Sequence, residues 1–221
     1  SYYELCIMNY ELFCTFAKET HFIMKRSLFP ILICLLALQV SAQQVAINKQ
    51  HSFPKTVPPG NYSGITWLGG DRYAVVNDKA RTSGFHLMTI RIDETTGDIK
   101  EVRADSFVTS NQPNRDEEGI CYVPQRNTLF VSGETDRSIV EYQLDGQLTG
   151  KQLTIPTVFK SARGNGGFEA LTYNATTHRF WTTTENTLKT DGVKPNISRK
   201  IPNVLRFQSF ADDLQPREQY W

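Results

Sequence analysis

Cysteine is scarce where it would count. Of the four in the chain, Cys6, Cys14 and Cys34 fall within the first 42 residues, and only Cys121 lies beyond them. That leading part reads as two pieces excluded from folding. Residues 1–23 precede Met24 and read as an over-extended gene start, and residues 24–42 read as a secretory signal peptide. Met24-Lys25-Arg26 supplies the charged start, 28–40 the apolar run, and Ser41-Ala42 the small residues at a cleavage point near Ala42. The run of 13 residues is short of the ~20 that span a bilayer, which argues against a retained anchor. Ile33 stands before Cys34, where a lipid-anchoring signal would place a small residue. The expected compartment is therefore secreted or periplasmic. With Cys121 alone in residues 43–221, a disulfide framework and a cysteine-based zinc site are both excluded.

Other absences narrow the class further. Neither sign of charge dominates: the net charge is +1 for the whole chain and stays at +1 after residue 42, giving no ground for nucleic acid or a membrane as partner. Apolar stretches at helical spacing are missing after Ala42. So are an R-H-G sequence, an H-E-x-x-H pair and a Walker loop. Gly60-Asn61-Tyr62-Ser63-Gly64 has the wrong spacing for a nucleophile elbow, and His51, His86 and His178 are scattered.

What remains is a series of short runs rich in Val, Ile, Thr, Tyr, Phe and Trp, separated by Gly, Pro, Asn and Asp. Strands are expected at 65–68, 73–77, 85–92, 120–123, 129–132, 139–144, 171–174, 179–184 and 204–207. Three segments repeat: Ser63-Gly64-Ile65-Thr66-Trp67, Glu118-Gly119-Ile120-Cys121-Tyr122 and Glu169-Ala170-Leu171-Thr172-Tyr173. Gly64 and Gly119 are 55 residues apart, and Gly119 and Ala170 are 51 apart. All-strand repeats of that length point to an all-β β-propeller, with a β-sandwich as the alternative. Residues 43–57 form a lead-in and 58–221 the propeller domain. At ~50 residues per blade the domain holds about three to four blades, so an incomplete, C-terminally truncated ring is expected.

Each repeat carries an acid after its second run: Asp78, Glu134 and Glu185. A turn at 124–127 places Glu118 across from Glu134, and one at 175–178 places Glu169 across from Glu185. Two such charges ~4 Å apart repel by on the order of 4 kcal/mol at an effective dielectric of ~20, so the group holds a cation, shares a proton or finds basic partners. An all-oxygen set with no histidine nearby suits calcium, with Asp78, Glu118, Glu134, Glu169 and Glu185 as ligands. The bland alternative is that these acids bond backbone amides of the next blade. Arg163 and Asn165, in Ser161-Ala162-Arg163-Gly164-Asn165-Gly166-Gly167, are candidates for binding an anion with help from glycine N–H groups. Lys189, Lys194, Arg199 and Lys200 mark a basic insertion between strands.

The run Asp116-Glu117-Glu118-Gly119-Ile120, then Ser132-Gly133-Glu134, then Asn165-Gly166-Gly167-Phe168-Glu169-Ala170-Leu171 with Glu185, resembles the secreted phytase-like family, whose domain carries the label "esterase-like activity of phytase". Ser63-Gly64-Ile65 with Asn77-Asp78 extends the likeness over about residues 58 to 221. The resemblance implies a propeller-like fold and hydrolysis of phosphate or carboxylic esters. On that reading Glu118 and Glu169 are catalytic, Arg163 and Asn165 bind substrate, and the substrate is a phosphorylated small molecule such as an inositol phosphate. A non-catalytic binding propeller and a lactone-hydrolysing propeller are the competing expectations.

Overall fold

The computed structural model describes residues 49–164 and 166–221. They form three four-stranded antiparallel sheets, each a meander in chain order. The first holds β1 (Tyr62–Gly69), β2 (Arg72–Asn77), β3 (Thr82–Ile92) and β4 (Ile99–Pro113). The second holds β5 (Glu117–Val123), β6 (Thr128–Gly133), β7 (Ser138–Gln143) and β8 (Leu148–Gln152). The third holds β9 (Phe168–Asn174), β10 (Arg179–Thr184), β11 (Phe207–Ala211) and β12 (Pro216–Tyr220). The innermost strands pack side by side, β5 lying between β1 and β9. This is the blade arrangement of a β-propeller, seen here as an arc of three blades.

Burial follows from the neighbours each blade has. The middle blade is covered on both sides, so β6 reads as an almost continuous apolar run, Leu129-Phe130-Val131, rather than an alternating one. Leu129 and Val131 face the first blade beside Val76, Phe85 and Ile120. Phe130 faces the third, where its ring meets Phe180 at 4.7 Å between centroids. β1 alternates instead because only one of its faces is covered, leaving Ile65 and Trp67 54% and 59% exposed. Cys121 is fully buried in the core between the second and third blades, and burial pushes its thiol well above the usual range, which keeps it protonated and inert.

Hydroxyl side chains stitch the inner strands together. Thr66 Oγ1 accepts from Tyr122 N at 3.0 Å, Ser63 Oγ donates to Glu117 O at 2.7 Å, and Ser132 Oγ accepts from Gly119 N at 2.8 Å. The lead-in is also structural: Ala104 N donates to Thr56 O, covering part of the β4 edge.

Two sequence expectations change. A strand at 204–207 is displaced to Phe207–Ala211, because Val204 N is captured by Thr187 Oγ1 and Arg206 forms a two-point pair with Asp191. The outer strands β4, β8 and β12 were not anticipated as strands; they are edge strands whose exposed polar residues show no alternation. The signal-peptide reading falls outside the described residues.

Candidate functional site

The same distortion recurs at the start of every innermost strand. In β1 the pairs Tyr62↔Asn77 and Ile65↔Val75 leave one extra residue on the inner strand. In β5 the pairs Glu117↔Gly133 and Ile120↔Val131 do the same, and in β9 so do Phe168↔Thr184 and Ala170↔Thr183. These are β-bulges, and a bulge re-aims the residue it frees. Glu118 sits in the second and Glu169 in the third. Ser63, in the first, bonds the carbonyl of Glu117. The facing acids therefore do not pair in simple register: Gly133, not Glu134, pairs with Glu117, and Glu134 lies one residue past the strand end.

A second recurring contact fixes the other acids. Asp78 N donates to Asn61 O (3.1 Å), Glu134 N to Asp116 O (2.9 Å) and Glu185 N to Gly167 O (3.3 Å). In all three blades the acceptor is the residue just before the inner strand. The carboxylate-bearing residues thus leave the sheets at equivalent points of one channel end.

The result is a dense acidic group. One carboxylate oxygen from each of Glu134, Glu169 and Glu185 lies within 4.8 Å of the others. Burial, then Glu169, Asp78 and Glu134, pushes Glu118 up to about 7. Burial, then Glu134, Glu185 and Asp78, pushes Glu169 up to about 7. Glu134 is raised as well, chiefly by burial, against the pull of the Gly167 N–H on its Oε1 at 3.2 Å. All five residues singled out from the sequence are therefore in one electrostatic neighbourhood.

Their hydrogen bonding is incomplete. Among the described residues, no hydrogen bond reaches the carboxylates of Glu118 or Glu169, and Asp78 Oδ1 is buried without a partner. Glu185 Oε2 accepts from Asn186 Nδ2 (2.7 Å), while Asp78 Oδ2 pairs with Lys79 (3.0 Å). Lys79 also reaches Asp116 (3.1 Å), and the two acids hold its ammonium well above the usual lysine range. An orphaned carboxylate oxygen beside a ring of oxygen donors fits a hard cation such as calcium.

The flanking residues behave differently from expectation. The Arg163 guanidinium donates to the backbone carbonyls of Thr187 and Gly192, so it braces the 185–206 excursion. Asn165 lies outside the described residues. The glycine-rich entry does present an N–H to an anion, but the anion is the carboxylate of Glu134. A Cβ at position 167 would lie 2.7 Å from Glu134 O, which is why glycine stands there. Sequence reasoning passed over Lys79, although its place beside Asp78 was a signal. Glu117, beside Glu118 in the sequence, is no part of the group: it is fully buried and accepts from Asn114 Nδ2 at 2.5 Å.

The raised carboxyls have a consequence for stability. Glu118 and Glu169 ionise near pH 7 when folded, against an ordinary value of 4.5. Their stabilising contribution is complete below about 4.5 and is lost as pH rises through about 7. In chelator, the melting temperature should fall between about pH 5 and about pH 8, and Glu169→Gln should flatten that slope. A metal-free melting temperature that rises across the interval would contradict the coupling.

Residues 57–220 match the family model described as "Phytase-like: Esterase-like activity of phytase". The chain belongs to the phytase-like family. No curated protein matches the sequence of this phytase-like chain. Among solved structures it is similar to the nidogen/laminin complex, at 11% identity and TM-score 0.40 over 74% of this chain and 49% of that one. It is similar to Kuenenia stuttgartiensis hydrazine synthase, at 8% identity and TM-score 0.41 over 79% and 39%. A third is the PQQ-bound aldose sugar dehydrogenase of Streptomyces coelicolor, at 14% identity and TM-score 0.34 over 68% and 43%. The chain spans less than half the length of each of the three. Among the described residues, no helix is long and apolar enough to cross a membrane.

Proposed function

We propose that this phytase-like protein is an exported, calcium-assisted ester hydrolase acting on a phosphorylated small molecule of the inositol-phosphate kind. The observation that carries the reading is the convergence of Glu118, Glu134, Glu169 and Glu185 with the unpartnered Asp78 Oδ1 at one channel end. Glu134, Glu169 and Glu185 would hold the cation most directly, with Asp78 and Glu118 beside them. A bound calcium would offset the repulsion among these acids and the charge of an incoming phosphate.

Glu118 stands outside the closest trio, where its carboxylate is placed to accept the proton of an attacking water. Water oxygen bonds to phosphorus, the phosphorus to ester-oxygen bond breaks, and the alcohol leaves with a proton from solvent. Glu169 would contribute as a ligand. Arg163 acts by bracing the loop beside the site, and Asn165 would contact the substrate.

A second reading, a non-catalytic binding propeller, is favoured by one set of contacts. Lys79, Gly167 N and Asn186 already partner Asp78, Glu134 and Glu185. The two readings separate in one experiment: phosphate release from inositol phosphates and turnover of a carboxylic-ester panel, with and without calcium. Calcium-dependent release supports the hydrolase. A calcium-induced melting shift with no turnover on any ester supports the binding module.

A further inference from the structure

The net charge of the chain conceals a segregated patch. Between β10 and β11 the chain makes an excursion over residues 185–206, leaving the sheet at Glu185, on the channel end that carries the acids. Within 189–200 stand Lys189, Lys194, Arg199 and Lys200, against Asp191 as the one acid. Asp191 is already neutralised by Arg206, 2.6 Å away. All four cations are exposed, and none has an ion-pair partner among the described residues.

Apolar surface is presented between them. Ile197 is 97% exposed and Val193 is 64% exposed. Single exposed aliphatic residues are ordinary on protein surfaces. Here these two flank Lys194 in the basic stretch 189–200, and Ile197 is at the tip of a closed turn. Asn196 and Ile201 pair as a β-bridge, Arg199 N donates to Asn196 Oδ1 at 2.9 Å, and Lys200 N donates to Ile197 O at 3.0 Å.

The base of the excursion is clamped. Leu188 is buried in the core between the second and third blades. Asn203 bonds both Thr187 N (2.8 Å) and Glu185 O (2.7 Å), and Lys189 N donates to Ser161 O (3.1 Å). Arg163 holds two of its carbonyls. Ile197 is therefore displayed by a braced turn, and little ordering is left to be done on contact with a partner.

We propose that this turn docks the protein on an anionic phospholipid surface, with Ile197 entering the interface and Lys194, Arg199 and Lys200 meeting lipid phosphates. A soluble polyanion would satisfy the cations and leave Ile197 in water; a lipid surface uses both.

Flotation with phosphatidylcholine vesicles, with and without phosphatidylglycerol, tests this. The protein should float only with the phosphatidylglycerol-containing vesicles. Each cation near such a surface changes partitioning about fivefold, so Lys194→Gln with Arg199→Gln and Lys200→Gln should lower it about a hundredfold. Ile197→Ser should weaken binding while the dependence on phosphatidylglycerol persists. Neither variant touches a buried group, so their melting temperatures should match wild type, which certifies folding. Equal flotation with both vesicle types, flotation with neither, or a triple variant that floats like wild type overturns the proposal. Unchanged partitioning of Ile197→Ser, together with competition by long-chain polyphosphate, would overturn it in favour of a soluble polyanion.

Discussion

Replacing Glu118 and Glu169 together by glutamine should reduce calcium-dependent phosphate release at least about a hundredfold, the scale on which a positioned general base and its electrostatic support act. Glutamine keeps the shape of both side chains and removes only the charge and the titration. The two residues occupy equivalent bulges in successive blades, and no protein donor reaches either carboxylate among the described residues. The substitution therefore breaks no hydrogen bond among the described residues. It also removes two of the repelling charges, so in chelator at about pH 8 the double variant should melt higher than wild type. Loss of turnover with a raised metal-free melting temperature separates a functional effect from unfolding. Turnover within a few-fold of wild type would remove both residues from the chemistry.

Gly119→Val should be among the most damaging single substitutions. A Cβ at this position would lie 2.7 Å from both the backbone nitrogen and the Cβ of Leu171, and 2.9 Å from Ser132 Oγ. The obstacle includes main chain of the neighbouring blade, which cannot rotate aside as a side chain could. Gly119 is also the donor to Ser132 Oγ, so displacement of the strand disturbs that link. Overpacking of this kind costs about 3 kcal/mol or more. The urea midpoint should fall accordingly, and an unchanged midpoint would show that the blades do not approach as described. Gly64 repeats the constraint one blade earlier, where a Cβ would lie 2.4 Å from Glu118 O.

The inner strands and the acids were legible in the sequence for the same reason: each blade solves one packing problem, so Gly64 and Gly119 recur where the next blade comes close. Asp78, Glu134 and Glu185 could be aligned on that repeat without coordinates. The bulges could not, because a bulge is set by the pairing of two strands, and the sequence shows Glu118 and Glu169 only as strand-entry residues. The outer strands escaped because in β4 Glu101, Arg103 and Asp105 pair with one another and with Arg91 and Thr89 of β3 instead of showing an apolar alternation. Arg163 looked like an anion ligand because its flanking glycines suggested a cradle. The partners that claim its guanidinium, Thr187 O and Gly192 O, are backbone atoms more than 20 residues away, which composition does not reveal.

The central claim is that the five carboxylates form a cation site. Calorimetric titration of calcium near pH ~7, in two buffers of different ionisation enthalpy, tests it most directly. Binding should be saturable and release protons, because Glu118 and Glu169 are held near 7 until the cation displaces their protons. Glu134→Gln with Glu185→Gln should abolish it. Absence of binding heat, or calcium binding that persists in that variant and releases no protons, would contradict the account.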